Sequence, residues 1–132
     1  MRLSLPYALL LAAAITLVLG YSGLVTFLGA HPWWAQSASW IGAIAGVAVG
    51  LVVWWLRVSR KLALGLVIVT LIAGGLAAYF GKAEFTASYA ENGLAGRFWY
   101  DGWLVGLAAF TSLVAIGTGR QRAPDNTAAR TG

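Results

Sequence analysis

Cysteine is absent from this sequence of 132 residues, and charged residues make up only 10% of it. Without cysteine the chain can form no disulfide, carries no thiolate nucleophile and offers no sulfur ligand for a metal or cluster. Ordinary soluble domains contain about a quarter charged residues, whereas here hydrophobic residues reach 60% of the chain. The composition excludes a typical soluble globule and predicts an integral membrane protein.

Charged residues are missing altogether from three long stretches, residues 3–56, 62–81 and 102–119. A transmembrane helix needs about 20 apolar residues, so the first stretch suits two spans and the other two suit one each. Pro32 marks the break in the first stretch, because proline ends a helix at or before the preceding residue. The sequence predicts an all-α integral membrane protein with four transmembrane helices in an up-down bundle. The predicted spans are residues 4–30, 33–56, 62–81 and 102–119, within a transmembrane domain 1–119 that has an outer loop at 82–101 and is followed by a polar cytoplasmic tail at 120–132.

The basic residues predict how such a bundle is oriented. Short loops rich in Lys and Arg stay on the cytoplasmic side of a membrane. With four spans, seven of the nine basic residues share the side of the two termini: Arg2, Arg57, Arg60, Lys61, Arg120, Arg122 and Arg130. We therefore expect a multi-pass protein with both termini in the cytoplasm, typical of a bacterial inner membrane. The net charge of +5 is explained by this placement, and no nucleic-acid partner is expected.

The predicted outer loop is rich in aromatic residues. Residues 83–91 contain fair helix formers, and Phe85 and Tyr89 fall on one helical face, which predicts a short interfacial helix ending at Asn92 and Gly93. Two interpretations of the loop stay open, an anchor at the membrane surface and a docking surface for another subunit. The candidate partner-binding residues are Phe85, Tyr89, Arg97, Phe98, Trp99 and Tyr100.

Small residues recur at every fourth position of the second predicted span. Helices in a bilayer associate through close packing of such residues, because lipid is as apolar as leucine. The same pattern is weaker in the third span. The candidate helix-packing residues are Ala38, Gly42, Gly46, Gly50, Gly74 and Ala78. These faces could pack within the bundle, or against other membrane subunits or copies of the chain.

His31 is the one histidine and the one candidate ligand for a cofactor. Its imidazole could hold a metal or a chlorophyll-type pigment, although a solvated histidine at the membrane edge is the simpler interpretation. No cofactor is predicted beyond surrounding lipid, with a pigment at His31 as an option. Glu84, Glu91 and Asp101 could form a hydrolytic pair, but a solvated loop with ion pairs explains them more simply.

The size and span count are similar to those of the small multidrug resistance transporters. That resemblance implies a carboxylate in the first helix for proton coupling, and the first predicted span contains none. Proton-coupled transport needs ionisable groups inside the membrane. The sequence therefore predicts a non-catalytic accessory subunit of a larger membrane complex or a homo-oligomer. The alternative is a small channel lined by backbone and hydroxyl groups, with the candidates Thr16, Ser22, Thr26, Ser37, Ser39, Thr70, Thr111 and Ser112.

Overall fold

The computed structural model describes residues 2–122, and these confirm the predicted all-α class. The chain forms five helices in this range: α1 (Leu5–Tyr21), α2 (Leu24–Phe27), α3 (Ala35–Trp55), α4 (Arg60–Ala87) and α5 (Gly93–Thr118). No strand occurs between residues 2 and 122, apart from an isolated bridge between Leu3 and Gly119. Residues 123–132 of the predicted tail lie outside the described part of the chain.

Three helices, α3, α4 and α5, are long and apolar enough to cross a membrane. The fourth apolar helix, α1, is shorter, with 17 residues. The helix within predicted span 4–30 ends at Tyr21 because the chain turns at Gly23, where φ is +85°. Glycine adopts this left-handed conformation without the steric cost that other residues meet. Gly23 is then the N-cap of the four-residue helix α2.

Both ends of the described chain meet at one end of the bundle. The Leu3 amide donates to the Thr118 carbonyl at 2.8 Å, and the Arg120 amide donates to the Leu3 carbonyl at 2.8 Å. The Arg60 guanidinium, at the start of α4, donates to the Gly117 carbonyl at 3.0 Å. We call this the basic end, defined by Arg2, Arg60, Arg120 and Arg122. The opposite end, which contains Trp34, Trp99 and Tyr100, is called the aromatic end.

The four long helices therefore alternate in direction. The start of α1, the start of α4 and the end of α5 meet at the basic end. The end of α3 lies there too, because the Arg122 guanidinium sits 5.1 Å from the centroid of the Trp54 ring. In the order α1, α3, α4 and α5, each helix thus runs antiparallel to the one before it. Helix α5 is central, with contacts to α1, α3 and α4.

The predicted interfacial helix at 83–91 is wrong. Residues 83–87 are instead the last turns of α4, because Gly81 packs against α5 rather than ending the helix, and the residues after it favour continuation. The turn follows at Tyr89 and Ala90, with φ of 54° and 66°. Asn92, predicted as a stop, is the N-cap of α5, and its side chain accepts a hydrogen bond from the Ala95 amide at 3.1 Å.

Candidate functional site

The glycine face of α3 lies against other helices of the same chain. A Cβ atom on Gly42 would come within 2.6 Å of the Leu107 Cβ atom, and one on Gly46 would collide with Thr111. Gly50 faces both α1 and α5, through Leu9 and Ala115. Ala38 is fully buried on the same helix. The α3 face is therefore occupied inside the monomer.

Helices α4 and α5 approach each other through glycines on both sides. A Cβ atom on Gly74 would lie 2.9 Å from the Gly106 amide nitrogen, and one on Gly102 would lie 2.7 Å from the Gly74 carbonyl oxygen. Ala78 is 7% exposed at the same contact. Sequence analysis identified Gly74 and Ala78, but not their partner Gly102, which begins the fourth predicted span rather than lying within a repeat. Contact between glycine backbones explains why these two helices pack so closely.

The buried hydroxyl groups bond within the bundle. Thr16 and Thr111 share a hydrogen bond of 2.6 Å between α1 and α5. Ser112 donates to the Ala108 carbonyl one turn earlier in its helix, at 2.8 Å. Ser39 does the same with Ala35, also at 2.8 Å. Such bonds satisfy a hydroxyl in an apolar environment, so the hydroxyl does not need contact with water in a pore.

An aromatic cluster closes the aromatic end. Trp99 on α5 is 7% exposed, and its indole N–H donates to the Gly29 carbonyl at 2.9 Å. The Trp34 ring lies edge-on to Trp99 and to Tyr100, with centroid distances of 5.5 and 5.1 Å. Edge-to-face contacts at this distance are favourable because the positive edge of one ring meets the negative face of another. The cluster thus ties the loop after α2 and the start of α3 to α5.

The predicted partner-binding residues differ in their exposure. Tyr89, Arg97 and Phe98 are exposed, with Tyr89 92% and Phe98 51% accessible. Phe85 and Tyr100 are half-buried. For Trp99 the expectation is corrected, because its ring is buried among side chains of its own chain. Sequence periodicity could not separate Phe98 from Trp99, since contact with Gly81 of α4 decides which of them turns inward.

His31 belongs to the same cluster. Its Nδ1 atom accepts a hydrogen bond from the Trp33 amide at 3.1 Å, and its ring lies 5.8 Å from that of Trp99. A ligand would therefore have to use the other ring nitrogen. Between residues 2 and 122, no group of three or more His, Asp or Glu side chains could hold a metal ion.

A groove beside the cluster was not foreseen from the sequence. It has a volume of about 810 Å³ and lies between the α1 and α2 region, α4 and α5. Its walls are mainly apolar, with Leu19 and Leu28 on one side, Leu71 on α4, and Leu107 and Phe110 on α5. Lys82 and Thr86 stand at its aromatic end. The eight candidate pore hydroxyls are absent from its wall.

No protein-family model, curated protein or solved structure matches this chain. The fold defines the class as an all-helical protein with three helices able to cross a membrane, packed around glycine contacts.

Proposed function

We propose that this protein is a small, non-catalytic integral membrane protein with four spans, acting as an accessory subunit of a larger membrane complex or of a homo-oligomer. The length and apolar composition of α3, α4 and α5 support insertion. Helix α1, with 17 residues, is at the short end of the roughly 17–25 residues found in spanning helices. Its antiparallel packing on α3 supports treating it as the first span.

The distribution of charge supports a cytoplasmic basic end. Arg2, Arg60, Arg120 and Arg122 gather there, whereas the aromatic end carries acidic residues as well, such as Glu91 and Asp101. Lys and Arg near span ends favour the cytoplasmic side. Under this proposal the hairpin between α4 and α5 lies on the outer side, and the aromatic cluster sits at the membrane surface.

Exposed apolar side chains on that hairpin are the observation that carries the accessory role. Tyr89, Leu94 and Phe98 are 92%, 66% and 51% exposed. Tyr89 and Leu94 lie outside the uncharged stretches 62–81 and 102–119. Apolar residues outside the bilayer gain nothing from lipid, and clusters of them typically mark protein contacts. Buried aromatic anchors dominate most such interfaces.

The test is gentle detergent extraction followed by native mass spectrometry of the wild-type protein and of the double variant Leu94→Ala, Phe98→Ala. The proposal expects the wild type as a stoichiometric complex, with another subunit or with copies of itself, and the variant as a monomer. Helicity and membrane insertion should not change, because both side chains are exposed.

The matched control is Leu66→Ala on α4, where an equally exposed leucine (59%) lies within an apolar span. This variant should keep the complex. A wild-type protein that is monomeric under gentle extraction would contradict the accessory role, and so would a double variant that retains its partners at unchanged stoichiometry.

A further inference from the structure

The groove between the α1 and α2 region, α4 and α5 is lined by two glycines at which a side chain would meet no neighbouring atom. Gly75 and Gly106 both line it, and a Cβ atom on either would meet nothing within 4 Å. Glycine inside a helix costs about 1 kcal/mol relative to alanine. At Gly74 and Gly102 close packing offsets this cost, but at Gly75 and Gly106 it does not. What these two glycines do provide is space within the groove.

The length and lining of the groove suit an acyl chain. Eleven residues separate Leu71 from Lys82 on α4, which is about 16 Å of helix. Apolar side chains line the groove over this length, so an extended hydrocarbon chain can lie along it.

The mouth of the groove carries a positive charge. The Lys82 ammonium lies 5.7 Å from the centroid of the Trp99 ring, and within residues 2–122 no carboxylate forms an ion pair with it. It also lies close to Gly29, where a Cβ atom would stand 3.7 Å from the ammonium nitrogen. A lysine at this level can keep its ammonium in the headgroup region while its stem stays on apolar surface. Lysine also binds phosphate as a point charge.

We propose that the groove is a binding site for one phospholipid with a net negative headgroup, with an acyl chain along α4 and α5 and the phosphate at Lys82. This inference rests on the proposed membrane insertion. The charge complementarity at the mouth selects an anionic lipid over a zwitterionic one. The open glycines provide the room for the chain.

The experiment uses the full-length protein extracted from carbonate-washed membranes and incubated with equal amounts of phosphatidylglycerol and phosphatidylcholine of the same acyl composition. Native mass spectrometry then counts the lipids retained. The wild type should retain one lipid, with a preference for phosphatidylglycerol of about fivefold, the ratio for one basic residue near a lipid headgroup. Lys82→Gln should bring the ratio close to one.

Two leucine variants test the groove itself. Gly75→Leu should greatly reduce retention of both lipids, because its side chain occupies the groove. Gly65→Leu is the matched control on the same helix, since a Cβ atom there also meets nothing within 4 Å and Gly65 does not line the groove. It should bind lipid like the wild type. If Gly75→Leu fails to fold, the ratio of phosphatidylglycerol to phosphatidylcholine retained by Lys82→Gln tests the proposed site alone.

The outcomes separate the two proposals. Loss of the protein from carbonate-washed membranes contradicts membrane insertion, and with it the proposed function. A membrane-embedded wild type that retains both lipids equally overturns the lipid site, as does a preference that survives in Lys82→Gln. Release of a protein subunit by Gly75→Leu, with lipid retention unchanged, would show that the groove binds a helix instead.

Discussion

At the residue scale, Trp99 is the side chain on which the aromatic end depends. Its indole N–H donates a hydrogen bond to the Gly29 carbonyl, its ring contacts the rings of Trp34 and Phe85, and the Lys82 ammonium lies over that ring. The sequence predicted Trp99 as part of an aromatic partner-binding surface. It could not predict that Trp99 faces inward, because the rotation of α5 about its axis depends on the contact of α5 with Gly81.

Replacing Trp99 by phenylalanine should remove the hydrogen bond to Gly29 while keeping an aromatic ring. The carbonyl then loses its indole partner in a part-buried site, so we expect a loss of about 1–3 kcal/mol in the free energy of unfolding. Thermal unfolding in detergent, followed by circular dichroism, measures it. Trp33→Phe is the control, because Trp33 is 92% exposed. Equal stability of the two variants would contradict the role of Trp99.

At the scale of helices, the pattern of small residues was the most informative signal in the sequence. Spacing of four keeps residues on one helical face and so predicted packing residues on α3, where the structure places Gly42 and Gly46 against α5. The pattern could not say which helix each face meets, nor distinguish Gly74 from its neighbour Gly75. Those distinctions come from tertiary packing, in which Gly74 meets α5 and Gly75 faces the groove.

Gly46→Leu should disrupt folding more than a change at an exposed position of α3. A Cβ atom at Gly46 already approaches the Ala108 carbonyl oxygen to 2.6 Å, so a larger side chain must separate α3 from α5. Overpacking of this kind costs about 1–3 kcal/mol or more. Val49→Leu, at a position 42% exposed, should change stability by less than about 0.5 kcal/mol. The yield of monodisperse protein in size-exclusion chromatography compares the two. Similar yields would show that Gly46 is not tightly packed.

The turn between α4 and α5 provides a second test at this scale. Ala90 has a φ of 66°, a conformation that costs about 1–2 kcal/mol for residues other than glycine. Ala90→Gly should therefore raise the thermal unfolding temperature. Ala73→Gly, at an exposed position inside α4, should lower it, because glycine inside a helix costs about 1 kcal/mol relative to alanine. The opposite signs distinguish a turn at 89–90 from the continuous helix over 83–91 that the sequence predicted.

At the scale of the whole molecule, the proposed function requires that four antiparallel helices cross one membrane. The positions of the uncharged stretches predicted four spans, and the structure shows three helices long and apolar enough to cross a membrane, with α1 shorter. These positions could not reveal that α4 and α5 extend into the predicted loop, because several residues of these extensions are charged. Local helix preference and packing make these residues helical. The convergence of both ends of the described part, residues 2–122, at the basic end fits an even number of crossings.

Single cysteines in this cysteine-free chain test the four crossings most directly. Suitable exposed positions are Ser4 before α1, Gln36 at the start of α3, Lys61 at the start of α4 and Glu91 in the turn before α5. With a membrane-impermeant maleimide on intact cells, Gln36→Cys and Glu91→Cys should be labelled, whereas Ser4→Cys and Lys61→Cys should be labelled only after permeabilisation. Labelling of Ser4→Cys and Gln36→Cys from the same side would contradict a spanning α1, and labelling of all four in intact cells would contradict the membrane arrangement as a whole.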